Sequence, residues 1–161
     1  MNQGLRDIEI LSIDAGSTDG TLEILEEYAV SDERIRIIHS DKRSYGYQVN
    51  LGIESAKGEY IGIVETDDII NPNMYERLYN IAISQNLPEL AMQDYYLWAG
   101  IYQKDFIKDI RLSETPGATF QDTGFIYQVL SKADRAMYIA DELYYYRQTK
   151  GNSSFNKNGF R

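Results

Sequence analysis

The chain has 161 residues with 43% hydrophobic and 25% charged content, the proportions of one globular domain, which excludes a disordered or fibrous class. Its formal net charge of -9 lacks the Lys and Arg surplus that binding to a phosphate backbone requires, which excludes a nucleic-acid footprint. With no cysteine and one histidine, disulfides and thiolate chemistry are excluded, and a metal must be held by oxygen ligands or by His39.

Taken in order, Ile8-Glu9-Ile10-Leu11-Ser12-Ile13 predicts a strand that ends in the turn Asp14-Ala15-Gly16-Ser17. A helix follows, with Ser17 or Thr18 as its cap, Asp19 at the positive end of its dipole, and Leu22, Leu25, Tyr28 and Ala29 along one face. Ile35, Ile37 and Ile38 predict a second strand, and Val49, Ile53 and Ala56 line a second helix. Lys57-Gly58-Glu59 breaks that helix before a strand over residues 60–64.

The strand runs directly into Glu65-Thr66-Asp67-Asp68. Carboxylates this close repel when ionised, so water, a cation or a donor-rich ligand must take up the charge. An acidic turn capping the next helix is the competing structural account. Asn71-Pro72 predicts a helix start, with Asn71 as cap, Pro72 in the first helical position and an apolar face of Tyr75, Leu78, Tyr79 and Ala82, ending before Leu87-Pro88.

Beyond this point the rhythm is less regular. A strand is expected over residues 89–96, a short helix over 102–110, a turn at Thr115-Pro116-Gly117-Ala118 and a helix from near Asp122 carrying Phe125, Ile126, Val129 and Leu130. Residues 136–147 read as one or two tyrosine-rich strands and 151–156 as a polar loop. The 14 tyrosines suit packing at sheet edges or stacking on sugar or base rings.

Alternation of strand and helix in the first half predicts a parallel α/β sheet, whose ligands bind beyond the carboxyl ends of the strands. Asp14 and Asp67-Asp68 both stand at such ends. No apolar run approaches the roughly 20 residues of a bilayer span, and no signal pattern is present, so the chain reads as soluble.

Several segments carry a family resemblance. Residues 13–21 (Ile-Asp-Ala-Gly-Ser-Thr-Asp-Gly-Thr), Asn50-Leu51-Gly52, Gly58-Glu59-Tyr60-Ile61, the DXD-like Glu65-Thr66-Asp67-Asp68, the 98–106 stretch and Gln121-Asp122-Thr123 together resemble the family 2 glycosyltransferases, in the branch that makes bacterial surface polysaccharides. The resemblance implies a GT-A fold, a Rossmann-like mixed sheet flanked by helices. The family's opening strand and Pro-x-Tyr-Asn turn have no counterpart ahead of Asp14, so the sheet is expected to lack its first strand. Residues 1–161 are then one catalytic domain and a fragment, with a nucleotide-binding half over 1–87 and an acceptor-side half over 88–161. Ala15 stands where the pattern has a second Asp, and the join at Asp94-Tyr95-Tyr96-Leu97-Trp98 replaces a longer acceptor-side insert.

The resemblance also implies roles. The activity would be inverting transfer of a sugar from a nucleotide-diphospho-sugar, foremost a UDP-sugar, to a glycan or lipid-linked acceptor, in the cytoplasm at the inner face of the membrane. Asp14 would contact the uracil or ribose, Asp67 the ribose, and Asp68 would be the main ligand of a Mg²⁺ or Mn²⁺ bridging the diphosphate. Glu65 would support the strand end, and Asp122 would be the catalytic base. The alternative from another class is a catalytically silent module that binds sugar nucleotides or glycans. A sugar-phosphate nucleotidyltransferase would need a Gly-rich, Arg-containing loop that this sequence does not show, and a response-regulator phosphoacceptor does not fit the spacing of the two acidic motifs.

Overall fold

The computed structural model describes residues 3–86 and 89–147. Leu87, Pro88 and the expected 151–156 loop lie outside the described residues. In chain order the elements are β1 (Ile10–Asp14), α1 (Thr21–Ser31), β2 (Ile35–His39), α2 (Tyr45–Ser55), β3 (Tyr60–Gly62), β4 (Ile69–Ile70) and α3 (Met74–Ser84). They continue with β5 (Leu90–Met92), β6 (Gly100–Gln103), α4 (Lys104–Ile107), α5 (Gln121–Lys132), β7 (Ala136–Tyr138) and β8 (Tyr144–Tyr145).

The strands form three sheets rather than one parallel sheet. β1 and β2 pair in parallel, from Ile10 opposite Ile35 to Asp14 opposite His39, with α1 as the crossover that parallel pairing requires. A four-stranded sheet runs in the order β3-β6-β5-β7; β6 is antiparallel to both β3 and β5, and β7 is parallel to β5. The short 93–99 connection explains the antiparallel β5–β6 pair, since only a reversal of direction can be made in so few residues. β4 and β8 form a third, antiparallel pair.

Alternation within these strands divides the core between two faces. Leu90, Met92, Ile61 and Tyr102 point to one side and pack with Ile53 of α2 and Phe125 and Val129 of α5. Ala91 and Ile101 point to the other and meet Met74, Leu78 and Ala82 of α3. The ring of Tyr102 meets that of Phe125 edge-on at 6.0 Å, and both side chains are fully buried. β5 is apolar and buried at all three residues because helices cover both of its faces. Gly62 is required where Tyr75 of α3 crosses β3, since a Cβ there would lie 2.3 Å from the Tyr75 ring.

Several local expectations are corrected. The cap of α1 is Gly20 in the left-handed region (φ 92), not Ser17 or Thr18, because Ser17 spends its hydroxyl on Asp14. α3 starts at Met74 after Asn73, while Asn71 and Pro72 form the preceding turn, with the Asn71 side chain accepting from the Asn73 N–H at 2.9 Å. Tyr102 belongs to a strand and the following helix is only Lys104–Ile107, the usual ambiguity of a short apolar run. β3 ends at Gly62 rather than at 64, and the 89–96 strand contracts to β5. α1 buries none of its residues: Leu22, Leu25 and Ala29 are half-covered and Tyr28 is exposed. No helix among the described residues is long and apolar enough to cross a membrane.

Candidate active site

The site is assembled at the carboxyl ends of β1 and β3. The chain leaves β1 at Asp14, which is 4% exposed, and turns sharply through Gly16 (φ 78), a conformation that favours glycine. The Asp14 carboxylate accepts from the Gly16 N–H at 2.9 Å, the Ser17 N–H at 3.2 Å and the Ser17 hydroxyl at 2.5 Å. Arg43 lies over this loop, donating to the carbonyls of Ala15 (3.2 Å) and Gly16 (3.0 Å). His39, exposed at the end of β2, stands opposite Asp14 in the register.

The Ser17 hydroxyl is the largest influence on Asp14 and holds its carboxyl below the ordinary range; burial opposes this, and the two N–H groups reinforce it. A carboxyl with a depressed folded-state pKa adds stability that is fully present above its unfolded value, about 3.9, and is lost as pH falls through the lower folded value. Ser17→Ala is therefore expected to lower the urea midpoint at pH 7, with a penalty that shrinks as acidification protonates Asp14. A pH-independent penalty would show that the hydroxyl acts only as a spacer.

The acidic loop after β3 is organised by two tyrosines. Tyr45, the first residue of α2, donates its hydroxyl to Glu65 Oε1. Tyr144, in β8, accepts from the Glu65 N–H at 3.3 Å and donates to Asp68 Oδ2 at 2.6 Å, and the Arg147 N–H reaches Asp68 Oδ1 at 2.8 Å. Burial raises the Glu65 carboxyl above its usual range; the Tyr45 bond opposes this, and the charges of Asp67, Asp68 and Asp122 add to it. The Tyr45 and Tyr144 hydroxyls are both pushed up by burial and by the carboxylates beside them, so they remain protonated donors.

Asp122 reaches this group through contacts that the sequence does not advertise. The Gln121 side chain accepts from the Gly46 N–H at 2.7 Å, one of the free donors in the first turn of α2, and donates to the Thr115 carbonyl. Asn50 accepts from the Leu112 N–H and donates to the Leu112 carbonyl, both at 3.0 Å, which fixes the segment leading to α5. Gly46 permits the approach, since a Cβ there would lie 1.9 Å from the Ser113 carbonyl oxygen. Asp122 then sits half-buried in the first turn of α5, and the cap of that helix is Phe120 (φ 60).

Of the residues singled out from sequence, Glu65, Asp67, Asp68 and Asp122 are thus near enough for the three aspartates to act on Glu65. Asp14 shares one cleft with Glu65 and Thr66. Tyr45, Tyr144, Gln121 and Arg43 are further site residues that sequence reading missed. Their partners lie 20 to 79 positions away for the tyrosines, 6 and 75 for Gln121 and 27 to 28 for Arg43, and the signals were the excess of tyrosine and the place of Gln121 in the Gln121-Asp122-Thr123 motif.

Comparison with known proteins supplies the family. Residues 1–89 match the family model described as Glycosyl transferase family 2. The chain belongs to that family. Among curated relatives, glycosyltransferase GlyG of Streptococcus pneumoniae is 38% identical over 97 residues, 60% of this chain and 32% of GlyG. The uncharacterized glycosyltransferase EpsJ of Bacillus subtilis is 28% identical over 195 residues, 92% of this chain and 55% of EpsJ. The chain therefore spans between a third and just over half of the length of these relatives. The solved structure of S. aureus TarS 1-349 in complex with UDP-GlcNAc superposes with a TM-score of 0.81 at 21% identity, covering 94% of this chain and 53% of that one. The fold of this family 2 member is accordingly GT-A, with a mixed sheet.

Proposed function

We propose that this chain carries the donor-binding and catalytic residues of an inverting glycosyltransferase that uses a nucleotide-diphospho-sugar and a divalent metal. The observation that carries the reading is the convergence of Asp122 on the acidic loop at the carboxyl end of β3, in a chain of this family. UDP-GlcNAc bound to a protein of the same fold supports a UDP-sugar as donor.

In this reading Asp14 and Arg43 flank the nucleoside, and Asp67 holds the ribose. Asp67 and Asp68 also fit Mg²⁺ or Mn²⁺. No group of three or more ligating side chains occurs among the described residues, but Mg²⁺ is commonly bound through one or two carboxylates plus substrate phosphates. Asp68 would be the main ligand, with Tyr144 and the Arg147 N–H orienting its carboxylate. A bound ion supplies positive charge to the departing diphosphate.

Asp122 takes the proton of the acceptor hydroxyl as that oxygen bonds to the anomeric carbon. The bond from that carbon to the diphosphate oxygen breaks, and its electron pair leaves with the nucleoside diphosphate. Attack from the face opposite the leaving group inverts the configuration. The exposed rings of Tyr96 and Tyr146, stacked with Trp98 at 5.2 and 6.0 Å, offer a surface for an acceptor sugar beside the Tyr144–Asp68 pair.

Calorimetric titration of UDP, GDP and CDP, with and without Mn²⁺, tests the donor site. UDP is expected to bind only with Mn²⁺ in the parent chain, and Asp68→Ala should lose that binding. Equal binding by both proteins would remove Asp68 from the metal site. One observation favours the silent binding module as a second reading: the cleft wall between β1 and β3 lacks a connecting strand among the described residues. Metal-dependent nucleotide binding with no donor turnover would establish it.

A further inference from the structure

Asp14, the expected contact for the base or ribose, is 4% exposed, and both of its oxygens are spent inside its own loop. Oδ2 accepts from the Gly16 N–H at 2.9 Å; Oδ1 accepts from the Ser17 hydroxyl at 2.5 Å; and the Ser17 N–H is shared between them at 3.2 and 3.3 Å. These contacts fall on the roughly four lone-pair sites of a carboxylate, which leaves none for a ligand. The next residue, Ala15, also lines the cleft and ends in a methyl group.

The other fixed acceptors at this end of the cleft are engaged too. Asp19 accepts from the Thr21 N–H at 3.2 Å, Glu65 accepts from the Tyr45 hydroxyl, and the Ala15 and Gly16 carbonyls accept from Arg43. Asp7, Glu9, Glu33 and Glu59 line the cleft from ahead of β1, β2 and β3, at the opposite ends of those strands. Thr18 and Gln48 are neutral, and a hydroxyl or amide donates as readily as it accepts. Arg43 is different. Its Nε and Nη2 are held on the loop at 3.2 and 3.0 Å, while Nη1, with two further N–H groups in the same rigid fork, has no protein partner among the described residues.

Uracil and cytosine have the same size and share the O2 acceptor, but at N3 uracil donates and cytosine accepts. A protein donor satisfies acceptors on either ring; only a fixed acceptor tells the two apart. We propose that this chain reads the base of its nucleotide through Arg43 as donor, and that Ala15, by offering no acceptor to the N3–H of uracil, leaves the site open to uridine and cytidine diphosphates alike. Asp14 then shapes the loop that carries both residues. This selectivity rests on the donor reading above and adds to it which residues set the choice of base.

Calorimetric titration of UDP and CDP into the whole chain with Mn²⁺ present tests it. The parent is expected to bind the two with Kd values within about threefold of each other, because no fixed acceptor separates them. Ala15→Asp, which places a carboxylate on the loop, should bind UDP about tenfold or more tighter than CDP, whereas Ala15→Asn, whose amide turns either way, should not. Arg43→Gln should weaken both nucleotides together, by about tenfold. A parent preference of about tenfold or more for either nucleotide would overturn the proposal. So would an Ala15→Asp variant with the parental urea midpoint and no preference, or an Arg43→Gln variant that binds as the parent does. If Ala15→Asp does not fold, the parent and Arg43→Gln titrations decide. Failure of the parent to bind either nucleotide would overturn the donor reading itself, and this inference with it.

Discussion

Asp122→Asn is expected to lower donor turnover by about 10²- to 10⁴-fold, the usual contribution of a positioned proton acceptor, while leaving Mn²⁺-dependent UDP binding unchanged. The amide keeps the size of the side chain and its place in the first turn of α5, so the Gln121–Gly46 and Asn50–Leu112 contacts that hold the helix are not disturbed. What it removes is the ability to accept a proton from an attacking hydroxyl. The measurement is release of UDP from a UDP-sugar alongside the UDP titration. A variant with parental turnover would show that Asp122 is only the first-turn acid of a helix dipole, and a variant that also loses UDP would assign it to the donor site instead.

The second large effect concerns the core. Phe125→Ala is expected to cost about 3–5 kcal/mol, read as a lower urea midpoint at unchanged slope. Phe125 is fully buried, stands edge-on to Tyr102, and joins α5 to the face of the sheet that also holds Leu90 and Met92. Truncation would leave a cavity walled by β-sheet, which relaxes less readily than a surface site. Tyr102 donates its hydroxyl to the Leu97 carbonyl at 2.9 Å, so it cannot swing into the void without abandoning a buried acceptor. A loss under about 1 kcal/mol would mean that α5 contributes little to the core, and that Asp122 is carried on a loosely held helix.

The fold was most legible where local signals agreed. The strand, glycine turn and helix of residues 10–31, the second strand at Ile35–His39 and the break at residues 57–59 were readable because apolar spacing and turn residues point the same way. The sheet topology was not. Nothing local to Ile61 says that it will face Tyr102 in an antiparallel pair, or that Leu90 will lie between β6 and β7. Those pairings join segments distant in sequence, and each strand's two faces pack against different helices. Cap residues failed for a related reason: Ser17 and Asn71 have the chemistry of caps, but each was already engaged in the preceding turn.

For the site, the acidic residues were legible and their supports were not. Asp14, Asp67, Asp68 and Asp122 announce themselves by position and motif. Tyr45 and Tyr144 become recognisable only when Glu65 and Asp68 are seen to accept from them. Asn50 could be read as part of a motif, yet its contacts in the fold are to the backbone of Leu112, 62 residues later.

Gly46 gives these supports a tolerance. Because the Ser113 carbonyl would lie 1.9 Å from any Cβ at position 46, the distance between α2 and the 112–115 segment is set by the absence of one carbon atom. Gln121 measures from that same backbone, and Asp122 is its neighbour in the chain. The place of Asp122, the proposed proton acceptor, is thus gauged by a residue with no side chain. A single methyl group there would displace Asp122 through backbone contacts alone.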